Sequence, residues 1–408
     1  MSEETKSYLV GILTGVLLII AIISVCGLVG VIDVNAIFKN AKKNESVVSN
    51  QTQKAYDEAL SYINHYYMGD VEDSDMQNSL IKGLVGGLDD KYADYYDPQE
   101  TEEFYENING EFRGIGIVMT KPATASGVIV LGVMDDSPAK KSGVKPGDLI
   151  MSIDNKELAD LSLDEIKAII SKKSIGSEIA LNINRKGINK SIKVKVEDIE
   201  TKSVGSLMLS EEIGYIRITS FDQNTSEQFK DELIGLENKG MKKLIIDLRN
   251  NGGGIVDVAT EMLDLLIPKG KLLVYTLDKY KNKKTYTSSS DEEENIPMVV
   301  LVNGETASAS EIFTGALKDQ GKATIIGKKT YGKGIVQSTY ELEDKTLIKF
   351  TTAKYYTPSG KCIHKKGITP DISLKKFKDE EVTFSEKKEE MLEDTYIKYA
   401  FDYIEKED

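Results

Sequence analysis

Three short segments of this chain carry residues that could do chemistry. In Val302-Asn-Gly-Glu-Thr-Ala-Ser308-Ala-Ser310-Glu311, Ser308 stands at the entry of a helical pattern, ASEIFTGAL, where free N–H groups and the helix dipole favour an anion. The same residues also suit plain structure. Ser308 or Ser310 can cap the helix, with Glu311 completing a capping box from Ser308. The second segment, Thr330-Tyr-Gly332-Lys333-Gly334-Ile-Val-Gln337, holds one lysine between two glycines after the apolar run ATIIG. The third, Asp247-Leu-Arg-Asn-Asn-Gly-Gly253-Gly254, is a glycine turn that follows an apolar run, as the serine turn does. Open α/β sheets place their sites at such strand ends.

A serine hydroxyl needs a base, and the chain has only two histidines. His65 falls in an N-terminal helical stretch and His364 in the basic KCIHKKG, neither on an obvious strand-end turn. A Ser-His-Asp arrangement is therefore poorly supported. Lysine can replace histidine only when neutral, which requires burial or nearby positive charge to lower its pKa from about 10.4. The flanking glycines would let Lys333 approach closely, and Gln337 could orient the amine without adding a charge that raises its pKa. Lys333 has two other readings. It can be a surface lysine in a hairpin, or the end of Gly327-Lys-Lys-Thr-Tyr-Gly332-Lys333, which matches most of a phosphate loop. That match fails at Gly334, where Ser or Thr is needed, and IVQSTYEL beyond it reads as a strand.

The elements that would hold these turns are legible from periodicity. Over residues 198–375 the runs IGYIRI, KLIIDL, MVVLV, ATIIG and LIKFTTAKYY read as strands alternating with helical patterns, an α/β core. Residues 110–197 read as short β runs around one helix, LSLDEIKAII. Residues 34–109 predict a linker and a small helical module: Tyr56, Ala59, Leu60, Ile63 and Tyr67 share one helical face, a second helix covers 76–88, and an aromatic stretch, 92–96, closes at Pro98. The tail, 376–408, is charged and helical, with Met391, Leu392, Thr395 and Tyr399 along one side, suiting either a docking or dimerisation helix or a solvated cap.

Composition narrows the function. With 52 Lys plus Arg against 66 Asp plus Glu, the formal charge is −14, and no basic stretch is long enough to track phosphates, which argues against a nucleic-acid partner. The 25 residues Tyr8–Ile32 carry no charge. As a helix they span about 37 Å, more than the roughly 30 Å of a hydrocarbon layer, and predict a transmembrane anchor at the end of a segment 1–33. The flanking charges, Lys6 before it and Lys39, Lys42 and Lys43 after, do not set its orientation. Cys26 within that run and Cys362 are not expected to pair.

The segment 110–197 resembles PDZ domains through Arg113-Gly114-Ile115-Gly116-Ile117, then Ser137-Pro138-Ala139, Ser142-Gly143 and Lys145-Pro146-Gly147-Asp148. The resemblance implies that Gly114, Ile115, Gly116 and Ile117 receive a peptide carboxylate and an apolar last side chain, the peptide adding as a strand. From Tyr56 to Asp371 the chain resembles the carboxyl-terminal processing peptidases, the S41 family of Ser-Lys proteases. The segments that carry this likeness are GGLDDKYADYY, DLRNNGGG, ETASASEIFTGALKD, TYGKGIVQ and YYTPSGKCIHKKGITPDI. The likeness implies a crotonase- or ClpP-like core with an inserted PDZ domain. It implies Ser308 as nucleophile, Lys333 as base and Gln337 as its positioner, with Ala309 and Gly254, or next Gly253, as the oxyanion hole. No metal or other cofactor is implied. Residue 364 departs from the pattern, standing as His where an uncharged polar residue is expected. The expected partners are protein substrates with apolar C-termini, the membrane through residues 8–32, and a second copy through the N- and C-terminal helices. The expected location is the cytoplasmic membrane, single-pass, with the catalytic part outside. The alternative reading is a membrane-tethered PDZ adaptor with an inactive core.

Overall fold

The structure, a computed structural model of the chain, describes residues 49–122, 125–290, 295–378 and 382–407, so the apolar run 8–32 lies outside the described residues. Among the described residues no helix is long and apolar enough to cross a membrane. The chain forms two compact units, residues 1–76 and 77–408. In the first, α1 (Asn50–Tyr66) starts where the Ser49 hydroxyl accepts the Thr52 N–H, and none of its residues is buried. The predicted one-sided face thus forms a helix but remains exposed. Helix α2 (Asp73–Gly86) spans the division between the units.

The second unit continues with β1 (Asp94–Tyr96), α3 (Pro98–Asn109), β2 (Glu111–Gly114), β3 (Ile117–Thr120), β4 (Val128–Val133), α4 (Pro138–Lys141), β5 (Leu149–Ile153), β6 (Lys156–Glu157), α5 (Leu163–Ser171), β7 (Glu178–Arg185), β8 (Ile188–Lys195) and β9 (Glu197–Glu200). The core follows as β10 (Val204–Met208), β11 (Ile213–Ile218), α6 (Thr225–Glu237), β12 (Lys243–Asp247), α7 (Val256–Asp264), β13 (Leu272–Asp278), β14 (Lys283–Thr287), β15 (Met298–Val302), α8 (Ala309–Asp319), β16 (Ala323–Gly327), β17 (Ile335–Glu341), β18 (Leu347–Tyr356) and β19 (Ile372–Ser373). Two helices, α9 (Lys388–Met391) and α10 (Thr395–Ile404), end it.

Strands β3-β4-β5-β7-β8, with β6 on β5, form one sheet around a core that includes Val128, Ile150, Ile166, Leu181, Ile183 and Val194. The ribbon β2–β9 carries the chain into this domain and back, so the domain is an insertion in the sequence. The core's main sheet runs β10-β11-β12-β15-β16-β19, parallel from β11 onward. Its strands are buried on both faces, which is why they read as continuous apolar runs. Helices α6, α7 and α8 cover one face.

The other face is covered by α10, through Tyr396, Ile397, Ala400 and Ile404. The tail helix, which the sequence suited either to docking or dimerisation or to a solvated cap, docks on the chain's own core. Its apolar face is consumed within the chain, and the side named from sequence includes Tyr399, which stays 37% exposed. The helical module expected over 34–109 is corrected in part. Asp94–Tyr96 is a strand that pairs with Lys349, Ile348 and Leu347 of β18, in a second sheet ordered β1-β18-β13-β14 with β17 on β18.

The arrangement fixes where chemistry can occur. Adjacent parallel strands β12, β15 and β16 are in register, Asp247 with Leu301 and Val302 with Gly327. The glycine turn, the serine turn and the lysine segment therefore leave the sheet side by side from the same edge. The segment after Lys333 is the strand β17, not a phosphate-binding helix.

Candidate active site

Ser308 has φ 57° and ψ −120°, outside the ordinary regions for a residue with a side chain, a strain of about 1–3 kcal/mol that the surroundings must impose. They do so by holding its backbone at both ends. Its N–H donates to Glu311 Oε2 at 3.0 Å, and its carbonyl accepts from the Ile312 N–H at 3.1 Å and the Tyr355 hydroxyl at 3.0 Å. The side chain is partly exposed. Ser310 is fully buried, and its hydroxyl donates to the Asn251 carbonyl at 3.0 Å. The structure thus separates two serines that local sequence left equivalent.

Glu311 does more than cap. Its carboxylate, fully buried, accepts the Ser308 N–H and the Lys333 N–H on one oxygen, at 3.0 and 2.8 Å. The other oxygen accepts the Gly332 N–H at 2.8 Å and the Thr330 hydroxyl at 2.5 Å. Burial pushes this carboxyl above its ordinary range, and the four hydrogen bonds oppose the shift. One carboxylate therefore ties the serine turn to the lysine segment, and the Tyr331 N–H adds a bond of 3.0 Å to the Thr306 carbonyl.

Lys333 is half-buried, and its amine donates to Gln337 Oε1 at 2.9 Å. A register shift in β17 falls between Val336 and Gln337, where a bulge re-aims a side chain. The Gln337 amide donates in turn to the Tyr92 carbonyl, while the Tyr92 ring centroid lies 4.8 Å from the lysine amine. Burial, first, and the charges of Lys349 and Lys91 hold the Lys333 pKa below the usual lysine range, against Tyr331 and Asp90. No hydrogen bond joins this amine to the Ser308 hydroxyl, so the two must close before the amine can take a proton. Apo sites often tighten in this way only with substrate bound.

The glycine turn packs on the serine turn. The Asn251 carbonyl accepts the Ala307 N–H at 3.0 Å, and Asn303 and Asn250 bond each other. Gly253 has φ 102°, and a Cβ there would lie 2.7 Å from the Ser308 Cβ and 2.8 Å from the Ala309 nitrogen. Only glycine fits so close. Its own N–H, however, donates to Asn251 Oδ1 at 2.8 Å. Gly253 therefore shapes the turn, while its N–H is spent. Among the described residues no acceptor takes the N–H of Ala309 or of Gly254.

The four residues Gly114–Ile117 line a cavity of about 810 Å³ with Phe112, Met119 and α5. β3 is an edge strand, its free side available for strand addition. Ile115 is 2% exposed and belongs to the domain's own core, so Ile117 and Met119 face the space more fully. Gly116 has φ 75°; Gly114 has no such requirement.

Residues 212–374 match peptidase family S41, and residues 113–196 match the PDZ domain. The Staphylococcus aureus (strain MSSA476) protein named "Probable CtpA-like serine protease" is 36% identical over 368 residues, 90% of this chain and 72% of its own length. The chain belongs to peptidase family S41. A Staphylococcus saprophyticus protein of the same name is 34% identical over 372 residues, 90% of this chain and 73% of its own. An S41-protease structure from Bacteroides fragilis shares the fold at TM-score 0.52 and 16% identity, covering 83% of this chain and 92% of that one. The photosystem II D1 C-terminal processing protease aligns at TM-score 0.47 and 25% identity, over 78% and 86%. This CtpA-like S41 serine peptidase thus carries a PDZ domain inserted ahead of its catalytic core.

Several residues of this S41 peptidase site escaped sequence reasoning. Glu311 was visible only as a cap. Asp90 and Tyr92 lay in GGLDDKYADYY, named only for the family likeness, with nothing to say that the Asp90 carboxylate would accept the Thr351 and Tyr92 N–H groups, at 2.8 and 3.0 Å, and pin Tyr92 beside Lys333. His364 lies with its backbone against Gly334, where a Cβ would come within 2.3 Å of the His364 nitrogen. It makes no bond to Ser308, and burial, then Lys365 and Lys354, hold its pKa below the usual histidine range.

Proposed function

We propose that this chain is a membrane-anchored endopeptidase that captures protein C-termini in its PDZ groove and cleaves near them. Ser308 attacks the scissile carbonyl after passing its proton to neutral Lys333. The N–H groups of Ala309 and Gly254 bind the oxyanion; as the tetrahedral intermediate collapses and the C–N bond breaks, Lys333 returns the proton to the departing amine, and, neutral again, it activates water against the acyl-enzyme. Gln337 holds the amine between these steps. The observation that carries this reading is the single Glu311 oxygen shared by the Ser308 and Lys333 backbones, which sets nucleophile and base at a fixed spacing. The edge strand β3 beside an apolar cavity supports tail capture. The uncharged run 8–32 supports the anchor, with the catalytic part outside the cytoplasmic membrane. The exposed Tyr62, Ile63 and Tyr66 of α1 suit a homodimer through that helix rather than through α10.

The test uses the full chain in detergent with an unfolded protein ending in an apolar residue. Cleavage is expected for the wild type and lost in both Ser308→Ala and Lys333→Ala, and it weakens when the substrate tail is amidated. Turnover that survives Ser308→Ala removes the assignment, and a wild type that binds tails without cutting them favours the adaptor reading. Labelling of an introduced surface cysteine in intact cells reports the topology.

A further inference from the structure

The glycine turn begins in a buried charge cluster that reaches the last helix of the chain. Arg249 is 2% exposed. Its Nε and one terminal nitrogen donate to Asp247, while the other terminal nitrogen donates to both oxygens of Asp394, at 3.0 and 2.9 Å. Its Cζ lies 5.0 Å from the Tyr396 ring centroid. Arg217 approaches Asp247 at 3.6 Å and donates to the Arg249 carbonyl at 3.2 Å, so two guanidinium groups face two carboxylates. Two residues beyond Arg249, the Asn251 carbonyl accepts from Ala307 and from Ser310, and Gly253 leaves no room for a side chain beside Ser308. Asp394 itself lies beyond residues 212–374, which the S41 match covers.

We propose that Asp394 is a positioning residue for the oxyanion side of the site: by clamping Arg249 it sets the turn 248–254 against Ser308, which makes the C-terminal segment part of the catalytic apparatus. The proposal rests on the site reading above. Helix α10 does not need this clamp in order to pack, because four apolar side chains already bury its face. Asp394 has a second task, accepting the Tyr396 and Ile397 N–H groups as the N-cap of α10. The two tasks separate chemically. Asn caps a helix about as well as Asp, but it cannot give Arg249 two charged acceptors, and it leaves the cluster with a surplus positive charge.

The experiment compares full-length wild type, Asp394→Asn, Asp394→Glu and Asp394→Ala for kcat, KM, melting temperature and inhibition by a peptide boronic acid, which forms a tetrahedral adduct on a serine. In Asp394→Asn, kcat is expected to fall about tenfold with KM within about twofold. Boronate affinity should fall by a similar factor, the melting temperature should fall as well because a buried guanidinium loses a charged partner, and Asp394→Glu should recover part of both losses. Wild-type kcat in Asp394→Asn overturns the proposal, as does a kcat loss with undiminished boronate affinity. If Asp394→Ala fails to fold, the Asn and Glu variants still decide. A wild type insensitive to boronate, with Ser308→Ala still active, sinks the site reading and this proposal together. A normal Asp394→Asn beside an inactive Ser308→Ala sinks the proposal alone.

Discussion

At the scale of single residues, the central requirement is a neutral amine. A base works only when unprotonated, so kcat/KM should rise with pH through the Lys333 pKa, and the depressed pKa moves that limb below the ordinary lysine range. The fold bears the cost in the window between the depressed pKa and the ordinary one near 10.5, losing stability as pH falls through it. Lys349 is the largest charge contribution to the shift, after burial. Its amine bonds the Tyr96 hydroxyl and lies over the Tyr96 and Phe104 rings, so Lys349→Met keeps the stem in place while deleting the charge. The acidic limb of kcat/KM should then move to higher pH, with lower activity at neutral pH. An unmoved limb would show that the Lys349 charge does not help to set the base.

Between elements, the decisive contact is the one Glu311 makes between the start of α8 and the segment leading into β17. Glu311→Gln is nearly isosteric, but an amide nitrogen would face two N–H donors that had shared one oxygen. Leaving them unpaired in a buried place costs about 2–4 kcal/mol. We expect a matching drop in melting temperature and a kcat loss of about 100-fold, since the spacing of Ser308 and Lys333 depends on the bond. A stable, fully active variant would refute the staple. β1 works at the same scale. It brings Tyr92 to the far side of Lys333, so a strand preceding the inserted domain completes a site otherwise built after it.

Across the whole molecule, capture and cutting are assigned to separate cores joined by the ribbon β2–β9. A Cβ on Gly116 would fall 2.2 Å from that of Ser137, and φ 75° disfavours any side chain there. Gly116→Val should therefore distort the loop proposed to receive the peptide carboxylate. We expect KM for a tail-bearing protein to rise by about tenfold or more, while kcat/KM for a short internal peptide that does not engage the groove stays near the wild-type value. Equal losses on both substrates would mean that the PDZ domain acts on the catalytic core itself rather than on capture.

The sequence by itself determined what depends on local pattern. Period-two and apolar runs placed the strands, the scarcity of histidine pointed to lysine, and Gly253, Gly254 and Lys333 stood on turns recognisable from the residues beside them. Tertiary structure decided what depends on contacts between distant segments. It buried Ser310 while leaving Ser308 partly exposed, and turned the Glu311 cap into a bond with Lys333, 22 residues away. It spent the Gly253 N–H on Asn251, brought Tyr92 to Gln337 across 245 residues, and folded the tail helix back on Arg249 across 145. Periodicity records which face of an element is apolar, but not which other element will bury it. That partner follows from strand order and register, which are properties of the assembled sheet.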